Sequence, residues 1–324
     1  VGRGRDACSS GRSPPAFANL GGVRPTTGLV SRSGIVPLSA TQDTAGPITR
    51  TVADAAHVLG ARVGYDPTDP VTAAGAEEVP EDGYAAHLDP DGLDGARIGV
   101  LRDLFEVSEP AEPPAETADA VEETIEAAMA EMEAAGAVLV DPVEAVDEEL
   151  VESARVVGKE FKRDFDAYLA EREGTPVDSL RELAESGTMA PSIERRVTEG
   201  GILDTDVDGL DDDPEYLRAL ARRETVRNET LARLVENDLD ALLYPPSAVL
   251  PVEIPDSQPF SEMRCELSAH TGLPSIVLQA GFADEGLPVG LELLGRPFDE
   301  PRLFELAYGY EQSTDHRRPP DRFE

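Results

Sequence analysis

The sequence predicts an α/β protein, with helices packed on a largely parallel or mixed sheet. Three neighbouring segments carry that expectation. Arg97-Ile-Gly-Val-Leu101 is a short apolar run of strand length. Residues 116–135 place Val121, Ile125, Ala128, Met129 and Met132 at helical spacing, and Ala137-Val-Leu-Val140 is a second short apolar run. Strand, helix, strand in that order builds a layered α/β core.

The remaining elements follow in chain order. Residues 1–63 hold a turn rich in Ser and Gly and then a helix over 50–61, whose Val52, Ala55, Ala56 and Leu59 form an apolar stripe. Residues 64–95 are rich in Asp, Pro, Gly and Glu and read as an acidic surface excursion. An acidic run begins at Val107, and Gly136 closes the helix that precedes the second strand. Residues 147–235 are mainly helical and acidic, with breaks at Gly174-Thr-Pro, Gly187-Thr-Met and Gly200-Gly. Their position suggests a cover over an active site, and a plain helical layer accounts for them equally well.

Composition bounds the function. The 324 residues, 40% of them hydrophobic, suffice for one large or two modest domains. The formal charge is −37, from 65 acidic against 28 basic residues, and only Lys159 and Lys162 are lysines. Repulsion at this density opposes a compact state, and a Debye length of about 3 Å near 1 M salt would screen it. An acidic, lysine-poor surface is expected of a halophilic protein. The same charge disfavours direct nucleic-acid binding. No stretch reaches the roughly 18 apolar residues of a membrane span, and the N-terminal residues lack the apolar run of a secretory signal, so a cytoplasmic protein is expected. Cys8 and Cys265 are too few for a disulfide framework and are expected to be free thiols. No zinc spacing, phosphate loop or dinucleotide fingerprint is present, so neither a metal nor a cofactor is expected, and Asp211, Asp212 and Asp213 read as surface solvation.

The chemistry-bearing segment is Ala7-Cys8-Ser9-Ser10-Gly11. Small residues let the backbone bend tightly and bring N–H groups towards a substrate carbonyl, as an oxyanion hole requires. The same residues are also ordinary in polar loops. A serine nucleophile needs a base. His57 lies in a helical pattern, His87 in an acidic loop, His270 before Thr-Gly-Leu-Pro and His316 in a polar tail, and none stands in a triad motif. The Gly-x-Ser-x-Gly elbow is absent, because Cys8 and Arg12 occupy the glycine positions around Ser10. A serine activated by lysine is the remaining precedent. Both lysines, however, lie among Phe161, Phe165, Tyr168 and Leu169 at helical spacing and alternate with acids, as on a surface helix with intrahelical ion pairs.

Gly4, Asp6, Ser10, Arg12 and Pro14 align without a gap to Gly-Thr-Asp-x-Gly-Gly-Ser-Ile-Arg-x-Pro, and the segment resembles the nucleophile region of the amidase signature family. The likeness runs on through residues 28–56 and returns at Leu239-Asp-Ala-Leu-Leu-Tyr-Pro-Pro, at residues 267–282 and at residues 286–298, which look like late core strands. It is loose in between. The resemblance implies a single α/β/α sandwich around a mixed sheet, divided here into a nucleophile segment (1–63), the excursion (64–95), an α/β and helical layer (96–235) and late strands with a C-terminal helix (236–324). It further implies Ser10 as acyl nucleophile and the backbone N–H groups of Ala7, Cys8 and Ser9, with Ser10 itself, as oxyanion donors. Leu273, Pro274 and Tyr244 are candidate pocket neighbours, or else strand ends and core. The family's lysine and cis-serine lie N-terminal to this segment, so a chain truncated at its N-terminus, with impaired or no activity, is expected. Arg5, Cys8, Ser9 and Gly11 depart from the family pattern. The implied activity is hydrolysis of a carboxylic amide through an acyl-serine, with a small amide as substrate and a homodimer as a further candidate. The alternatives are a glutaminase-type component of tRNA-dependent amidation and a non-catalytic homologue.

Overall fold

The computed structural model describes residues 1–108, 114–254, 258–284 and 286–320, so most of the acidic run that begins at Val107 lies outside the described residues. Its strands are β1 (Gly2–Asp6), β2 (Gly21–Arg24), β3 (Thr44–Thr49), β4 (Arg97–Val100), β5 (Val138–Val140), β6 (Ala241–Tyr244), β7 (Ser275–Phe282) and β8 (Pro288–Leu294). They form one 8-stranded sheet in the order β1-β3-β2-β7-β8-β6-β4-β5. The sheet is mixed: β1, β3, β2, β7, β8 and β6 pair antiparallel, whereas β4 pairs parallel with both β6 and β5.

The helices are α1 (Ser13–Phe17), α2 (Val52–Gly60), α3 (Ala118–Ala134), α4 (Glu148–Ser153), α5 (Val157–Ala170), α6 (Leu180–Glu185), α7 (Pro191–Glu199), α8 (Pro214–Glu236), α9 (Glu266–Thr271) and α10 (Glu300–Ser313). Two of them match the helical spacing closely. In α2 the buried residues are Val52, Ala55, Ala56 and Leu59, and in α3 they are Val121, Ile125, Ala128, Met129 and Met132. Thr51 caps α2 by accepting from the Asp54 N–H. Gly136, at φ +101°, ends α3 in a conformation that a side chain disfavours.

Both faces of the sheet are covered. Side chains alternate along a strand, so in β6 Ala241 and Leu243 join the core formed with α2, α3 and α10, while Leu242 and Tyr244 join the opposite core with α8 and α9. Three layers result, helices on both sides of a mixed sheet, as expected. Outside them α5, α6 and α7 build a separate apolar cluster around Phe165, Leu169, Leu180 and Val197. The 64–95 segment is mostly exposed or half-buried, and a few of its residues anchor it. Its Tyr84 and Leu93 are buried in the first core, with Tyr84 against Phe304 of α10. A segment rich in Asp and Gly still anchors itself wherever single large side chains reach the core.

Among the described residues no helix is long and apolar enough to cross a membrane.

Candidate active site

The turn that carries Ser10 leaves the end of β1 and enters α1. Asp6, fully buried, is its hub. Oδ2 accepts from the Gly11 N–H and from Arg12 Nε, both at 3.0 Å, and Oδ1 accepts from Arg24 Nη1 at 3.0 Å. Residues 6–11 are thereby closed into a ring. The other arm of Arg12 crosses to Glu292 on β8 at 2.7 Å and to the Cys265 carbonyl at 3.1 Å, and Glu292 also accepts from the Tyr244 hydroxyl at 2.8 Å.

This cluster holds two guanidinium groups and two carboxylates in a place with almost no water, where unpaired charge is costly. Burial opposes the Arg12 charge, but Asp6 and Glu292 outweigh it and hold the group more firmly protonated than usual. Arg24 is shifted the other way: burial dominates, and although Asp6 supports its charge, Arg12 is a like charge beside it. Burial first and Glu292 second push the Tyr244 hydroxyl well above its ordinary range, so it remains a donor.

Beyond the hub, the Ser9 carbonyl accepts from the N–H groups of Arg12 at 2.8 Å and Ser13 at 2.9 Å. Pro14 and Pro15 occupy the first turn of α1, where a fixed φ and a missing N–H cost nothing. Gly22 on β2 lets the sheet come close. A Cβ there would lie 2.1 Å from the Gly11 carbonyl oxygen, so only glycine permits this approach.

Ser10 itself is exposed. Among the described residues, none of the N–H groups of Ala7, Cys8, Ser9 and Ser10 donates a hydrogen bond. Ala7 is buried and Cys8 and Ser9 are half-buried. Unpaired buried backbone donors are rare in folded proteins. Ala7 is the buried one of the four, and free N–H groups in such a turn are the kind of donor that receives an oxygen carrying negative charge.

One expectation is corrected here. Cys8 and Cys265 are not free thiols but a disulfide, with Cα atoms 5.0 Å apart and 257 residues between them in sequence. Counting cysteines gave no hint of it, because a single pair this remote in sequence meets only after the sheet has closed. The bond ties the turn to the residue before α9, beside which Ser9 Oγ contacts Met263 Sδ at 3.4 Å. Glu266 lies next to the two sulfurs, but bonded sulfurs are poor metal ligands.

Neither lysine and none of the four histidines stands ready as a base for Ser10. Lys159 pairs with Asp213 at 2.5 Å and with Glu215, and hydrogen bonding to Asp213 raises its pKa, so it stays cationic. Lys162 donates to the Thr205 carbonyl at 3.3 Å. Both sit on α5, but not in the intrahelical pairs that their spacing suggested: Lys159 pairs with Asp213, which caps α8, and with Glu215, and Lys162 meets a backbone carbonyl. His270 is buried, shares Nδ1 with the Val151 carbonyl at 3.0 Å, and is pushed down to about 3 by burial and by Arg223. His57 contacts its own helix, His87 pairs with Glu305 and Asp82, and His316 pairs with Glu131. Tyr244 and Leu273 are fully buried, and Pro274 is buried too.

Sequence reasoning passed over Arg24, Gln42 and Glu292. Each is a buried polar residue within a strand or beside one, and a polar side chain flanked by Val23 and Pro25, or by Leu291 and Leu293, was the available signal. A cavity of about 450 Å³ lies between α3 and the end of β7, but none of its lining residues belongs to the turn.

The structure is thus an α/β/α sandwich with a Ser- and Gly-rich turn at the end of β1. Comparison with known proteins specifies it further. A family model described as Amidase matches residues 1–304, and the chain belongs to that family. It is 31% identical over 329 aligned positions to a probable amidase of Arabidopsis thaliana, covering 99% of this chain and 58% of the relative. It is 32% identical to a Glutamyl-tRNA(Gln) amidotransferase component of Moorella thermoacetica, covering 98% of this chain and 64% of that protein. Among solved structures, the native peptide amidase of Stenotrophomonas maltophilia superposes with a TM-score of 0.79 at 35% identity, over 98% of this chain and 63% of that one. The chain thus spans about three fifths of the length of the relatives it matches.

Proposed function

We propose that this chain carries the nucleophile half of an amidase site, in which Ser10 attacks the carbonyl carbon of a carboxylic amide. The observation that carries the reading is the run of four unpaired N–H groups, Ala7 to Ser10, around an exposed serine. Attack would form the Ser10 Oγ–carbon bond and place negative charge on the former carbonyl oxygen, where those N–H groups can receive it. Such donors contribute about 2.7–4 kcal/mol each in known enzymes. Collapse of the intermediate would break the C–N bond and release ammonia or an amine, and water would then free Ser10. The departures at Cys8 and Ser9 from a glycine pair are compatible with this role, since neither takes a positive φ.

The resemblance assigns the proton relay to a lysine and a cis-serine outside this sequence, and neither Lys159 nor Lys162 is free to substitute. The surface charge of −37 supports a protein that works in concentrated salt, and we read it as cytoplasmic. An ammonia-supplying role like that of an amidotransferase component ranks second. Those curated relatives match at similar identity, but residues 37–47 resemble stand-alone amidases more than that component.

The test is covalent labelling in multimolar KCl with an alkyl fluorophosphonate, followed by peptide mass mapping. Adduct on Ser10, absent in Ser10→Ala, is expected. Adduct on Ser9 in place of Ser10 would defeat the assignment.

A further inference from the structure

We propose that Gln42, held by Arg223 of α8, is a positioning residue that aims the Cys8 N–H at the oxyanion; the inference rests on Ser10 being the nucleophile. Gln42 is fully buried in the loop before β3. Its Nε2 donates to the Ala7 carbonyl, and its Oε1 accepts from Arg223 Nη2. The orientation of the amide is forced, because a carbonyl can only accept and a guanidinium can only donate.

The consequence lies in the geometry of one peptide unit. The Ala7 carbonyl and the Cys8 N–H belong to the same planar trans peptide and point in opposite directions. Fixing the oxygen therefore fixes the N–H. Gln42 grips the side of the unit that faces the protein interior and leaves the other side free for an incoming oxygen. Arg24 does the same for the preceding unit, since its Nη1 donates to the Asp6 carbonyl at 2.6 Å and so sets the Ala7 N–H. Gln42 is itself held at a third point, where its own carbonyl accepts from Arg24 Nη2 at 2.7 Å.

Arg223 is the anchor at the far end. It is buried, and it also donates to the Ala154 carbonyl at 3.1 Å and to Thr41 Oγ1 at 2.6 Å. Thr41 in turn donates to the buried Glu160 of α5 at 2.9 Å, which accepts from Tyr216 of α8 at 2.7 Å. The helices α5 and α8 thus reach the candidate oxyanion turn through one glutamine side chain. That gives the helical layer a definite task, the orientation of a donor rather than the covering of a pocket.

The experiment uses the full chain and two variants. Gln42→Glu keeps the bulk and the Arg223 contact but removes the donor to Ala7, and Gln42→Met removes both without adding charge. The probe is the alkyl fluorophosphonate, whose reaction forms the Ser10 O–P bond, breaks P–F and releases fluoride, with the serine proton passing to solvent. Losing one oxyanion donor costs about 10²–10³-fold in other enzymes, and misaiming it should cost less. The expected result is a maximal labelling rate about 10- to 100-fold lower in both variants with half-saturating probe concentration changed less than about twofold, together with a displaced Cys8 amide resonance in ¹H–¹⁵N spectra. A purely structural role predicts that Gln42→Glu, with its stronger Arg223 pairing, labels like wild type. An unmoved Cys8 resonance in both variants overturns the positioning role whatever the labelling shows. A displaced resonance in a chain that labels on Ser9 in place of Ser10 instead overturns the nucleophile assignment and leaves the positioning of the peptide standing.

Discussion

Replacing Arg12 by methionine tests whether the buried charge cluster holds the turn together. In the wild type Arg12 lies between Asp6 and Glu292 with about 1% of its side chain exposed, and Arg24 supplies the second positive charge. Arg12→Met leaves two carboxylates around one guanidinium. Asp6 keeps Arg24 and the Gly11 N–H, but Glu292 keeps only the Tyr244 hydroxyl, and its Oε2 has no partner even in the wild type. Removing one partner of a buried ion pair typically costs about 3–5 kcal/mol, mostly through the charge left behind. With a urea m-value of about 3 kcal/mol/M, the midpoint should fall by about 1–1.7 M at fixed KCl. If the stranded Glu292 charge is the cause, Glu292→Gln in the same background should restore about 2 kcal/mol, so the two changes are far from additive. The assay is urea unfolding of the four proteins of the cycle, followed by far-ultraviolet circular dichroism. A cost for Arg12→Met below about 1 kcal/mol, or additivity within about 0.5 kcal/mol, would show that the cluster is not an interdependent charge network.

Further expectations concern pH, the disulfide and the sheet contact. His270 is neutral when folded, with a pKa near 3 against about 6.5 unfolded, so below pH 6.5 the unfolded chain binds the extra proton and stability falls as pH falls towards 3. About 2 kcal/mol should be lost from this group by pH 5, and His270→Gln should flatten that part of a stability profile measured by urea titration. Reducing Cys8–Cys265, or the variant Cys265→Ser, should cost about 2–5 kcal/mol because the bond closes a loop of 257 residues. A thiol assay that finds two free thiols in the untreated protein would contradict the bond itself. Gly22→Ala should separate β2 from the turn, since the new methyl would meet the Gly11 carbonyl at 2.1 Å. A loss of about 3 kcal/mol or more in thermal or urea unfolding is expected, together with slower labelling of Ser10.

Much of this was legible in the residues alone. The periodic stripes of α2 and α3 located both helices to within a few residues, because one buried face dictates the spacing. The surface helix around Lys159 was legible too, but its ion-pair partners Asp213 and Glu215 lie more than fifty residues further on and were not. The buried ends of the 64–95 segment did not, since Tyr84 and Leu93 are isolated apolar residues whose burial depends on α10 arriving from far along the chain. The alternation in β6 is likewise invisible in Ala241-Leu-Leu-Tyr244, where both faces are apolar because both are covered.

The sequence by itself determined the α/β class, the major helices, the acidic surface and, through the Gly4 to Pro14 pattern, the turn and its family. Those properties are local: spacing, composition and a short motif are written in consecutive residues. Only the tertiary structure decided that Cys8 meets Cys265, that Arg12 and Glu292 share a charge cluster, and that Gln42 and Arg223 reach the Ala7 carbonyl. These pairs are far apart in the chain and have no periodicity of their own. They come together because strand order, not sequence order, sets which buried groups become neighbours, and each buried polar atom must then find its partner there.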